Sequence, residues 1–159
     1  MQNNSINRNA IVEGGAEWFL RLALATGFLA AVTDRFGLWG PPGASNVAWG
    51  AWGPFVEYVG VLNWFVPTAL LGALAWITTI AEVTIAFGLL IGWRLPWFAL
   101  ASGLLLLMFA LTMTVTLGIK APFDFSVFAA SAGGFFLAAV ALRKPAGTKP
   151  EQSNLYEAV

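Results

Sequence analysis

Val66 to Ile91, VPTALLGALAWITTIAEVTIAFGLLI, is a run of twenty-six residues whose only formal charge is Glu82. At a helical rise of about 1.5 Å per residue it is long enough to cross the roughly 30 Å hydrocarbon core of a bilayer. An ionised carboxylate near the middle of such a span costs about 2.5–3.5 kcal/mol even on the mildest insertion scale, so Glu82 must be neutral, paired or facing a cavity. Helical spacing places Thr68, Gly72, Ala75, Thr79, Glu82 and Ala86 on one side, while Leu70, Leu74 and Ile77 point elsewhere. Small and polar residues mark the protein-facing side of a membrane helix, so Glu82 is expected to lie buried among helices.

Composition agrees with that reading. The 159-residue chain is 58% apolar and 10% charged, with a mean hydropathy of +0.75, far from soluble averages. Lys plus Arg and Asp plus Glu both number 8, and neither a phosphate-binding loop nor a dinucleotide fingerprint is present, which argues against nucleic-acid or nucleotide chemistry. The sequence has no Cys and no His, so disulfide relays, Cys-held iron–sulfur clusters, His-ligated haem and the usual zinc sites are excluded. No metal site is expected. Any redox electron would sit on a borrowed cofactor or a quinone.

Outward from the Glu82 span, residues 1–12 read as a polar, flexible cytoplasmic tail. A signal peptide is the competing reading for the run Phe19 to Val32, but Glu17 and Arg21 flank or enter it and Leu29-Ala30-Ala31 is a poor cleavage site. Spans are expected at about 13–34, 66–91, 95–117 and 125–143, in an all-α, four-helix antiparallel transmembrane bundle, followed by a flexible tail over 144–159. Arg21, inside the first span, has two readings. It snorkels to the interface or pairs with Glu17 one turn earlier; or it meets Glu82, since counting from the inner helix ends puts the two at roughly 12 and 15 Å depth.

The long connection 35–65 is rich in Trp and Gly, with a turn at Gly40-Pro41-Pro42-Gly43. Such a segment rests at a membrane interface, and Gly53-Pro54 followed by Phe55, Val56, Val59 and Leu62 reads as the start of a short helix. It is either an aromatic belt or a lid over a lipophilic site. Further on, Thr112 and Thr116 share a face and are expected to bond carbonyls one turn back. Asp124 stands where it would cap the fourth span, and Ala129, Ala130, Gly133, Gly134 and Ala138 provide for close helix packing. With four spans both termini share one side, which receives Arg8, Arg21, Arg94, Arg143, Lys144 and Lys149 against Arg35 and Lys120 opposite, so the termini are expected to be cytoplasmic.

With these residues laid out, the chain resembles the DoxX family of small four-helix membrane proteins. The resemblance is carried by Arg21 to Gly27 continuing into Asp34-Arg35-Phe36-Gly37-Leu38-Trp39-Gly40, by Ala81-Glu82 followed by Gly88-Leu89-Leu90-Ile91-Gly92, and by Leu117-Gly118-Ile119-Lys120-Ala121-Pro122-Phe123 before Ser126-Val127-Phe128. It spans about Trp18 to Leu142. What it implies is a bacterial inner-membrane protein, in a family named after a subunit of a thiosulfate:quinone oxidoreductase and with members linked to redox stress or quinone handling.

Two functions of different class follow as expectations. In the first, a quinone-linked or redox-associated component, Arg21, Asp34, Arg35 and Glu82 with Thr79 would steer a proton or hold a quinone oxygen. Trp49 and Trp52 would cover the ring, with Lys120 and Asp124 as further candidates at the same end. In the second, the polar residues only hold helices together, and the chain is an accessory subunit. The expected partners are the lipid bilayer and either a membrane subunit or further copies of the chain; quinone is the one cofactor the resemblance raises.

Overall fold

The computed structural model describes the backbone of residues 2–143; the expected C-terminal tail over 144–159 lies outside the described residues. The described chain is all-helical and contains no strand. Its elements are α1 (Gln2–Arg35), α2 (Trp52–Leu62), α3 (Thr68–Ile91), α4 (Leu95–Leu117), α5 (Lys120–Asp124) and α6 (Val127–Arg143). Among the described residues, three stretches are long and apolar enough to cross a membrane, Ile11–Arg35, Thr68–Ile91 and Leu95–Leu117. The 17-residue α6 is a shorter apolar helix. Helical backbone starts at Gln2 where the sequence reading began the first span at about 13, because nothing between Gln2 and Glu13 breaks a helix: the glycines come after, at Gly14 and Gly15, and no proline precedes Pro41.

Turn chemistry sets the boundaries of α3 and α4. Gly92 ends α3 in the left-handed conformation (φ 77°), donating its N–H to Gly88 O at 3.0 Å, the usual glycine stop of a helix. Pro96 in the first turn of α4 restarts the chain in the opposite direction. Two further glycines permit close approaches. A side chain on Gly88 would overlap the Phe98 ring, and one on Gly134 would come within 2.6 Å of Gly103 N, so α3 meets α4 at the first site and α4 meets α6 at the second. Ser131 Oγ donates to Gly103 O at 2.8 Å across the second contact.

The interior is built from small and medium residues of four helices, with Leu24, Ala25 and Phe28 of α1, Ile85, Ala86 and Leu89 of α3, Ala99 of α4, and Leu137 and Ala138 of α6 forming one cluster. Larger apolar side chains face outward in helical rows, such as Leu104, Met108, Leu111 and Val115 on α4 and Ile77, Ile80, Phe87 and Ile91 on α3. A soluble domain would bury these rows; a lipid environment accommodates them. The small and polar face of α3 is buried at Ala75, Thr79, Glu82 and Ala86, as its sequence periodicity predicts, while Thr68 at the helix start is exposed.

The connection after α1 folds back so that Trp49 and α2 pack on α3. Gly37 (φ 75°) and Gly50 (φ 65°) allow this, since a Cβ on Gly50 would fall within 2.6 Å of Pro41 C and one on Gly37 within 2.9 Å of Gly50 O. The expected short helix is present as α2; it buries Phe55, Val59 and Leu62, spaced four and three apart, and Phe55 and Val59 pack with Ala75, Leu71 and Leu74 of α3.

Candidate functional site

Arg21 and Arg35 stand fourteen positions apart on α1 and both reach α3. They reach it for different groups. Arg35 Nη1 donates to Thr79 Oγ1 at 2.7 Å, and Nη2 donates to Glu82 Oε1 at 2.8 Å. The same Nη2 is 2.6 Å from Glu82 Oε2, but off the N–H direction, so that oxygen is charge-paired without a hydrogen bond, and Arg35 Nε has no acceptor either. Both side chains are at least 97% buried, with exposures of 3% and 1%. Thr79 keeps its own hydroxyl proton directed to Ala75 O at 2.8 Å, which leaves the oxygen free to accept from Arg35.

The expected Arg21–Glu82 contact is therefore replaced by Arg35–Glu82. The depth count placed the two Cα atoms at similar levels but ignored where helical side chains lean. Each leans toward the N-terminus of its own helix. In antiparallel α1 and α3 this carries Glu82 toward the start of α3 and Arg35 back toward it, while the same lean carries Arg21 away from Glu82, toward the end of α3. Arg21 instead donates Nε to Leu89 O at 2.7 Å and Nη2 to Leu90 O at 3.0 Å, carbonyls in the last turn of α3 that no helical N–H can take. Its guanidinium carbon sits 3.9 Å from the Trp18 ring centre, and Nη1 is 3.9 Å from Glu17 Oε1, so the expected one-turn pairing with Glu17 holds as the weaker of its contacts.

An aromatic cap closes over the Arg35 pair. The guanidinium lies 3.9 Å from the centre of Phe55 and 5.4 Å from that of Trp49. Trp49 meets Phe55 edge-on at 5.1 Å, and Trp52 lies between Trp76 of α3 at 4.3 Å and Phe36 at 5.7 Å. Asp34, buried beside Arg35, accepts the backbone N–H of Trp49 at 2.7 Å and so ties the cap to the end of α1. Tyr58 packs on Trp49 at 5.7 Å, and burial pushes its phenol above the ordinary range, which keeps it protonated. Trp39 and Trp64 remain exposed, so the Trp-rich connection divides into an inward-facing part and an outward-facing one.

Six of the nine candidate residues thus converge: Asp34, Arg35, Trp49, Trp52, Thr79 and Glu82. Arg21 lies at the other end of α3, on Leu89 and Leu90. Lys120 and Asp124 are exposed on α5 and bond one another, Lys120 Nζ donating to Asp124 Oδ1 at 2.7 Å. Asp124 does not cap α6, which starts three residues later at Val127; one turn of separation within α5 brings Lys120 to its carboxylate first. Phe36, Phe55 and Trp76 complete the cap and were not among the expected residues, although Phe55 stood on the face that the Gly53-Pro54 start predicts. Thr112 and Thr116 bond carbonyls one turn back, as expected.

Two recesses among the described residues are apolar grooves, one between α3 and α4 and one beside Trp64 and Phe65, and neither is lined by Arg35 or Glu82. No group of three or more His, Cys, Asp or Glu side chains among the described residues is placed to hold a metal. Compared with protein-family models, curated proteins and solved structures, the chain matches none.

Proposed function

We propose that the chain is a DoxX-like, four-helix integral membrane protein of the bacterial inner membrane that acts as a non-catalytic accessory subunit. The observation that carries this reading is how the polar cluster is used: the Arg35–Glu82 ion pair and Thr79 are buried and bonded to one another beneath an aromatic cap. Such a pair, once desolvated, is worth little as net stability but specifies which helix faces meet, a role consistent with a structural bolt between α1, α3 and the cap. In this reading α6 is a fourth, short crossing, within the range of about 17–25 residues that spans require, and both termini are cytoplasmic. The cap, with Trp39 and Trp64 outward, would rest at the opposite interface and present the docking face. Affinity purification in a mild detergent tests the reading. A stoichiometric membrane partner is expected, and its loss when Trp39 and Trp64 are both changed to Ala; a chain that purifies alone and carries an activity of its own would sink it.

One observation favours the redox-associated alternative. Arg35 Nε and Glu82 Oε2 are buried without hydrogen bonds, so the pair retains polar capacity that a quinone carbonyl and hydroxyl would satisfy if the cap opened. Extraction of the purified protein for quinone, together with titration of a quinone analogue against Arg35→Met, decides between the two.

A further inference from the structure

The groove between α3 and α4 is lined by Ala81, Thr84 and Ile85 on one side and Trp97, Phe98 and Ala101 on the other, with a volume of about 380 Å³. It runs along one turn of each helix, inside two of the apolar spans, so its contents are hydrocarbon. Small residues at Ala81, Thr84 and Ala101 open it, and the Trp97 ring, 65% exposed, forms one wall. Arg94 caps the same end of α4. The N–H groups of the groove-lining Trp97 and Phe98 donate to Arg94 O at 2.9 and 3.4 Å, so Arg94 lies within one turn of the groove's lining, at the start of α4.

Arg94 is held there at some cost, in the left-handed region (φ 44°, ψ 42°), where a glycine would sit more easily. Its guanidinium is 5.5 Å from the Trp93 ring centre and has no carboxylate partner among the described residues. An exposed cation flanked by two exposed tryptophans at the end of an apolar groove matches the two halves of an amphiphile. We propose that this groove holds one acyl chain of an anionic phospholipid whose headgroup is bound by Arg94. A zwitterionic lipid fits the apolar half equally well and lacks the net charge that Arg94 selects, so the headgroup sets the preference.

The site rests on the membrane reading and not on the accessory or redox role. The protein is reconstituted in nanodiscs of phosphatidylcholine, with and without an equal fraction of phosphatidylglycerol, and its melting temperature is measured. Phosphatidylglycerol is expected to raise the melting temperature by several degrees relative to phosphatidylcholine alone. Arg94→Gln should erase that difference, and Arg143→Gln, a cation at the end of α6, should leave it intact. Thr84→Phe, which fills the groove from an exposed position, should reduce it while leaving the melting temperature in phosphatidylcholine unchanged. Equal melting in the two lipids, or a difference that survives Arg94→Gln, overturns the lipid site while the membrane reading stands; failure to enter nanodiscs overturns both.

Discussion

Arg21 and Arg35 are the same residue on the same helix, both buried and both bonded to α3, yet they solve different electrostatic problems. Arg21 meets carbonyls at the end of α3, where aligned peptide dipoles leave about half a negative charge and no covalent charge needs compensating. Arg35 meets a full carboxylate several turns inside an apolar helix. Removing Arg21 leaves two carbonyls that water or headgroups at the helix end can take over. Removing Arg35 leaves an anion with no substitute. The two arginine sites should therefore respond to the same mutation on different scales.

The largest effect is expected at the Arg35 end. Arg35→Leu strands the Glu82 carboxylate and should lower stability by about 3–5 kcal/mol, the range for breaking a buried pair from one side. Arg35→Leu combined with Glu82→Leu removes both charges and should recover much of that loss, measured as thermal unfolding in one detergent across the four proteins of the cycle. Losses that simply add would show that the contact carries no coupling. In the accessory reading the double variant still binds its partner, whereas a quinone site would be lost in every member of the cycle.

Next in size is the α4–α6 contact. A leucine at Gly134 must displace the backbone of Gly103, which cannot swing away, as well as the Ser102 hydroxyl, whereas Gly133 faces only the end of Leu20 at 3.1 Å. Gly134→Leu is expected to cost about 1–3 kcal/mol or to abolish expression, and Gly133→Leu distinctly less. The control is Leu104→Ala, at a position 49% exposed where lipid replaces the lost contacts. If both glycine variants melt alike, α6 packs by a broader face than its small residues define.

These particulars show what the sequence could convey. Helix limits were legible wherever glycine or proline imposed them: α3 and α4 begin and end within two residues of the expected positions. The buried face of α3 was legible from period alone, because small and polar residues in an apolar helix have few other uses. The partner of Glu82 was not, although both residues were candidates, because residue spacing gives Cα depth and the choice between two arginines turned on a side-chain lean of several ångströms. The cap was half legible. Its aromatic content announced an interface, but its attachment depends on Asp34 reaching the main chain of Trp49, and a backbone N–H leaves no mark in a sequence.

The smallest effect tests the Arg21 end, and Gly92 is the place to probe it. Gly92→Ala meets two obstacles: its φ of 77° is strained for any residue with a Cβ, and that Cβ would lie 2.5 Å from Arg21 Nη2. The first costs about 1 kcal/mol. The second moves only the far end of a flexible side chain, which can keep its Nε bond to Leu89 O while Nη2 gives up Leu90 O. The total should therefore stay near 1–2 kcal/mol, below any Arg35 variant. Combining Gly92→Ala with Arg21→Ala separates the two parts, because the clash vanishes with the guanidinium and the strain does not. If the double variant is no worse than Arg21→Ala alone, the φ strain has been absorbed by the turn; if Gly92→Ala by itself matches Arg35→Leu, the Arg21 end is as indispensable as the buried pair, and the contrast between carbonyls and carboxylate fails.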